Sequence, residues 1–161
     1  MIFVSVGTQL PFDRMIKIID EWAGQDSNFE VFGQISDGEY SPKNFKFERY
    51  IPAEKFSELY MMADIIISHA GMGNIITALE YSKPIIIFPR RVELGEHRNN
   101  HQVSTVEKFQ HKENVFLAET KDDLDYAINE IRSRVFEFGR LPSGTNELCE
   151  YLDETVKGWY L

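Results

Sequence analysis

Two runs of branched residues, Ile65-Ile66-Ile67 and Ile85-Ile86-Ile87-Phe88, flank a glycine-bearing turn and a helical segment that reaches Tyr81. Successive side chains of a strand point to opposite faces, so a run without a polar position has to be covered on both sides. Helices on each face of a parallel sheet meet that demand, and an open antiparallel sheet with one wet face does not. The rest of the chain repeats the alternation. Residues 2–6 form a short apolar run closed by Gly7-Thr8, and Met15, Ile16, Ile18, Ile19 and Trp22 recur at helical spacing after Pro11. Strand character returns at 29–35 and 45–47, and a helix over 53–63 follows Pro52. A helix over 101–110, a short strand at 115–117 and a helix over 122–134, with Leu124, Ile128 and Ile131 on one face, complete the pattern. The order predicts an α/β fold: a Rossmann-like parallel sheet with helices on both faces. Pro142-Ser143-Gly144 breaks the pattern before a final helix expected over 147–156, so 1–134 reads as the domain proper and 135–161 as its C-terminal helical extension.

A chain of 161 residues suits one such domain. With 43% hydrophobic and 27% charged residues it is globular in composition rather than disordered or fibrous. The formal charge of -9, from 17 basic against 26 acidic side chains, sets up a field that repels phosphate backbones and anionic lipid surfaces. Nucleic acid is therefore not an expected partner, and any anionic ligand has to be held by local groups. The single cysteine, Cys149, forms no internal disulfide, and no Cys/His spacing suits zinc, so a reducing cytoplasm is expected and no metal site. The first residues lack the basic flank of a signal peptide, and no apolar run approaches the roughly 20 residues of a membrane span. Membrane contact is expected to be peripheral or through a partner.

Ligands of open parallel sheets bind outside the carboxyl ends of the strands, so the candidate site lies where Gly7-Thr8-Gln9, residues 68–74 and residues 90–102 meet. Gly71-Met72-Gly73-Asn74, between a strand and a helix, serves either as a turn former or as a diphosphate cradle at a helix start. Neither a GxGxxG nor a GxxxxGK[ST] sequence is present. His69 is a structural histidine or a ligand contact. Arg90-Arg91, an adjacent cation pair in an acidic chain, is a phosphate contact or a solvated loop. Glu96, His97, Asn100, His101 and Gln102 concentrate hydrogen-bonding side chains at a helix start, a density suited to reading sugar hydroxyls or to capping the helix. His97 and His101 stand four apart without the acid of HExxH, and there is no GxSxG elbow or cysteine nucleophile.

Taken together, the sequences 4–9 with Pro11-Phe12-Asp13-Arg14, Ile67-Ser68-His69-Ala70-Gly71-Met72-Gly73, Lys83-Pro84, and Pro89-Arg90-Arg91 through Gly95-Glu96-His97 to Asn100-His101-Gln102 resemble a known family. It is the C-terminal, donor-binding domain of family 28 glycosyltransferases of the GT-B class, and the match covers roughly 2–134. The last stretch looks most like the short subunits of split bacterial capsule and exopolysaccharide glycosyltransferases. A cousin is the catalytic subunit of the eukaryotic two-part enzyme that adds the second GlcNAc to dolichol diphosphate. The resemblance implies a UDP-sugar donor and no cofactor, with the diphosphate near Gly7-Thr8 and the 71–74 helix start and uracil against Tyr50-Ile51. It also implies donor-sugar contacts from His101-Gln102, with Glu96, His97 and Asn100 shaping that pocket or the subunit boundary. Relatives place a ribose-binding Glu where this chain has Thr77, and Glu80, one turn on, is the nearest substitute.

The implied reaction is an inverting, metal-independent transfer to a lipid-linked sugar acceptor. The acceptor half would be a separate membrane-anchored subunit that recruits this chain to the inner face of the membrane, with Trp159 and Tyr160 as candidate contact surface. Arg90 or Arg91 would help to take the charge that develops on the departing diphosphate, and no catalytic base is assigned. The alternative is a non-catalytic nucleotide-binding regulatory or assembly subunit of a polysaccharide synthesis complex.

Overall fold

The computed structural model describes residues 1–25, 29–99 and 101–134. In chain order the elements are β1 (Ile2–Ser5), α1 (Asp13–Ala23), β2 (Val31–Gln34), β3 (Lys46–Glu48), α2 (Ala53–Met62), β4 (Ile65–His69), α3 (Met72–Glu80), β5 (Ile85–Phe88), α4 (His101–Phe109), β6 (Val115–Leu117) and α5 (Lys121–Ser133). A 3-10 turn at Val92–Leu94 interrupts the long loop after β5. Six strands form one sheet in the order β3-β2-β1-β4-β5-β6. Every pairing is parallel. The direction of winding reverses between β1 and β4, the place where such sheets open a crevice.

The apolar runs divide by parity, as period-two geometry requires. Ile2, Val4, Ile65, Ile67, Ile86 and Phe88 share one core with Met15, Ile16, Ile19 and Trp22 of α1 and with Leu124, Ile128 and Ile131 of α5. Phe3, Ile66, Ile85 and Ile87 point the other way, into a second core with Tyr60 of α2, Ile75 and Ala78 of α3, and Val106 and Phe109 of α4. Each of those strand side chains is at most 3% exposed. At about 1.5–3 kcal/mol per fully buried side chain, these two layers supply most of the drive to fold.

The fold class expected from the sequence is the one observed, and the differences lie at element ends. The first and second strands are shorter than the runs 2–6 and 29–35, although Val6 N still donates to Gln34 O at 3.1 Å and Ile35 N to Glu48 O at 3.1 Å. The third strand runs 46–48 rather than 45–47, because its register is set by pairing Phe32 with Lys46 and Gln34 with Glu48. No helix joins β2 to β3. The connection is held instead by the buried carboxylate of Asp20, which accepts from Tyr40 Oη at 2.7 Å, Lys43 N at 2.9 Å and Asn44 N at 2.7 Å. The helix expected over 147–156, the aromatics Trp159 and Tyr160, and Cys149 lie outside the described residues.

Candidate functional site

A cleft of about 390 Å³ opens at the carboxyl edge, across the reversal between β1 and β4. Its walls come from the turn after β1 (Gly7, Thr8, Gln9), the turn after β4 (His69, Gly71, Gly73, Asn74) and the loop after β5 (Arg90, His97, Gln102), with Ile51 and Phe56 at one end. Thr8, Gly73 and Gln102, far apart in sequence, thus face one space.

The floor is a polar row that sheet register builds. Ser5 stands opposite Gln34 on one side and Ser68 on the other, so the last positions of β1 and β2 and the last but one of β4 are polar at one level. Ser68 Oγ donates to Ser5 O at 2.9 Å, and Ser5 Oγ donates to Gln34 Oε1 at 3.2 Å. Gln34 Nε2 donates to Gly7 O at 3.1 Å and Arg49 O at 2.8 Å. A buried amide therefore fixes the turn after β1 to the chain leaving β3. Without these partners a Gln that is 2% exposed would be costly to bury.

His69 stands between two glycines. A Cβ at residue 7 would lie 2.8 Å from its Cε1, and one at residue 71 would lie 2.3 Å from its Nε2. Gly7 also has a φ of 78°, a left-handed conformation that disfavours any side chain. Burial, with the Arg90 charge adding to it, pushes the imidazole down to about 4, so the ring is neutral at pH 7. His69 Nδ1 faces Ser68 Oγ and Asn74 Nδ2, each at 3.5 Å. Beyond it α3 starts at Met72 with no side-chain cap, and Gly73, unlike Gly71, has nothing within 4 Å of where a Cβ would sit. The first N–H groups of an α-helix have no partner within it, and Gly71, Gly73 and Asn74 bring this helix start, with the positive end of its dipole, to the cleft wall.

The loop after β5 contributes differently from what its sequence suggests. Arg90 is 2% exposed, and its guanidinium donates to Val6 O at 2.9 Å, Leu10 O at 2.7 Å and Pro11 O at 2.7 Å. Burial lowers it to about 10, which leaves it charged at neutral pH. Arg91 pairs with Glu119 at 2.5 Å. Backbone carbonyls accept from Arg90 and the Glu119 carboxylate from Arg91, so neither is a cation held by solvent alone, and Arg90 remains on the cleft wall. Glu96 accepts from Arg14 Nε at 2.7 Å, Arg14 Nη2 at 3.0 Å and Arg91 N at 2.9 Å, and so anchors the loop instead of shaping the cleft. Gln102 Oε1 accepts from Arg90 N at 3.1 Å, so the group this 9% exposed side chain offers the cleft is its NH2.

Of the residues singled out from sequence, Gly7, Thr8, Gln9, Ile51, His69, Gly71, Gly73, Asn74, Arg90, His97 and Gln102 line the cleft. Tyr50, Met72, Thr77, Glu80, Arg91, Glu96 and His101 do not. Tyr50, half exposed, donates to Asp37 at 2.6 Å, and Thr77 Oγ1 donates to Gly73 O at 2.9 Å along its own helix. His101 sits exposed at the start of α4, and Asn100 lies outside the described residues. Ser5, Val6, Leu10, Gln34 and Phe56 line the cleft without having been anticipated. The signal that points to Ser5 and Gln34 is a polar residue closing a strand, which gains meaning only once register aligns them.

Residues 1–135 match the glycosyltransferase family 28 C-terminal domain. Over 125 residues the chain is 30% identical to the UDP-N-acetylglucosamine transferase subunit ALG13 of Homo sapiens, which covers 70% of this chain but only 10% of that protein. The chain thus spans about a tenth of the length of this curated relative. Among solved structures, the NMR solution structure of ALG13 is similar with a TM-score of 0.62 at 20% identity, covering 94% of each chain. The crystal structure of the kitacinnamycin glycotransferase is similar with a TM-score of 0.64 at 21% identity, over 83% of this chain and 34% of that one. At these identities the two structures speak for the fold.

Proposed function

The chain belongs to the glycosyltransferase family 28 C-terminal domains, and on that premise we propose that it is the donor-binding half of a two-part glycosyltransferase acting on a UDP-sugar. The observation that carries the reading is the convergence of Thr8, Gly73 and Gln102 on one cleft at the winding reversal. A nucleoside diphosphate lies with its pyrophosphate across the open start of α3 and the backbone of Gly7-Thr8. Its base rests near Ile51 and Phe56, and its sugar within reach of Gln102 and His97. Charge developing on the departing diphosphate is met by fixed amide dipoles and the positive end of α3, which need no reorganisation when the bond breaks. Because Arg90 and Arg91 are committed elsewhere and His69 is neutral, backbone N–H groups rather than side-chain cations perform this task. An acidic chain thereby grips an anion.

The acceptor half is a separate membrane-anchored subunit that presents a lipid-linked sugar and supplies the base for its hydroxyl. One observation supports a division of this kind: the human relative is named as a subunit. No described helix is long and apolar enough to cross a membrane. The setting is the cytoplasmic face of a bacterial membrane, in capsule or exopolysaccharide synthesis, as the 89–102 stretch suggests by its resemblance.

Calorimetric titration with UDP and a panel of UDP-sugars tests the reading. One UDP-sugar is expected to bind at least as tightly as UDP and to lose roughly tenfold on Gln102→Ala, the scale of one polar contact left unmade. Indifference to the sugar would favour a non-catalytic nucleotide-binding subunit. Full turnover by this chain alone on a soluble acceptor would refute the two-part arrangement.

A further inference from the structure

The turn after β1 and the loop after β5 exchange arginines. Arg90, from the later loop, reaches back across about 80 residues of sequence to Val6 O, Leu10 O and Pro11 O. Arg14, in the first turn of α1, reaches forward to both carboxylate oxygens of Glu96 at 2.7 and 3.0 Å and to Pro89 O at 2.8 Å. The ring of Phe12 serves both, with Arg90 at 4.8 Å and Arg14 at 5.2 Å from its centroid. Arg90 N also holds Gln102 Oε1.

We infer that this crossed pair joins the two loops into one unit, with Arg90 as a positioning residue that sets the Gly7-Thr8 backbone and the Gln102 amide at a fixed separation. The inference rests on the donor-binding reading for what the loops hold, but not for the joining itself. In this role Arg90 acts from the cleft wall through the carbonyls it holds. Its planar donors point at several carbonyls at once, a geometry that a lysine ammonium on a shorter reach does not reproduce. Loss of the guanidinium removes three hydrogen bonds that tie residues 6–11 to that loop.

Hydrogen exchange by NMR and UDP calorimetry on the full chain, for wild type, Arg90→Lys, Arg90→Gln, Glu96→Gln and Ile131→Val, tests the idea. Arg90→Lys is expected to speed exchange of the amides of residues 7–10 about tenfold and to weaken UDP binding by a similar factor, because local opening is set by such ties. Arg90→Gln should behave alike. Glu96→Gln, which keeps shape and removes the charge that Arg14 holds, should speed exchange in residues 91–97 about threefold, and it serves if the Arg90 variants do not fold. Ile131→Val, a core change in α5, lowers overall stability and should leave both readouts of these loops alone. Unchanged exchange at 7–10 in Arg90→Lys would overturn the inference. So would retention of UDP affinity by Arg90→Lys with its loss in Arg90→Gln, the signature of a direct charge contact. A wild-type chain that fails to bind UDP would sink the donor-binding reading instead, and the exchange data, which need no ligand, would still decide the joining of the loops.

Discussion

Helices α3 and α5 both start a few residues after a parallel strand, at the same edge of the sheet, yet their first turns are finished in opposite ways. At α5 the chain completes itself: Thr120 Oγ1 accepts from Asp123 N at 3.2 Å, and the Asp123 carboxylate accepts from Thr120 N at 2.9 Å. At α3 the cap position is Gly71, no side chain closes the end, and the turn faces the cleft. A capped start is worth about 1 kcal/mol to the fold. An open start forgoes that and leaves donors for a ligand. Gly71 and Gly73 refine the contrast, since one is small because His69 fills its space and the other because nothing does.

The largest effect expected from this contrast concerns pH. The folded chain holds His69 at about 4, while the ordinary value is 6.5, so the unfolded chain takes up the proton first. Stability from the neutral ring is whole above about pH 6.5 and is lost as pH falls toward 4, by up to about 3 kcal/mol. Urea unfolding at pH 7.5 and 4.5 should show a smaller drop for His69→Asn than for wild type, and equal drops would mean that the ring is not the source. Next, Gly71→Ala drives a methyl into a ring that Gly7 backs on its other side, so it cannot retreat. A loss of about 2 kcal/mol is expected, or roughly 4–8 °C in Tm by thermal unfolding.

Thr120→Ala should cost about 1 kcal/mol through the lost cap and leave UDP affinity untouched. Altered affinity there would break the distinction between a self-finished helix start and one kept for a ligand. Gly73→Ala is the smallest change and has the opposite sign. Replacing a helical glycine in open space should stabilise by about 0.5 kcal/mol while weakening UDP binding, as the methyl shades the neighbouring amides. A variant both more stable and equally good at binding would show that the α3 start is not where the ligand lies.

How far the sequence speaks depends on the range over which a pattern acts. The runs at 65–67 and 85–88 name their strands and demand two covering layers, and the observed cores divide those residues by parity. The rim position of the glycine turns follows from strand direction alone. Arg90 and Glu96 show where this stops. Both look like loop residues turned toward a ligand, but Arg90 finds carbonyls 79 to 84 positions away and Glu96 finds an arginine 82 positions away. Tyr50, Thr77 and Glu80 are likewise near the site in sequence logic and off its walls in space.

Local order alone therefore settled which segments are strands and helices, that the sheet is parallel and doubly covered, and which edge carries the cleft, because hydrophobic periodicity is written residue by residue. Packing decided which polar groups face that cleft. Ser5, Gln34 and Ser68 become one row only when three strands lie in register, and Arg90 becomes a tie only when the first turn folds over it. Hydrogen-bond donors go to whichever acceptors are near in space, and that nearness is a property of the assembled chain.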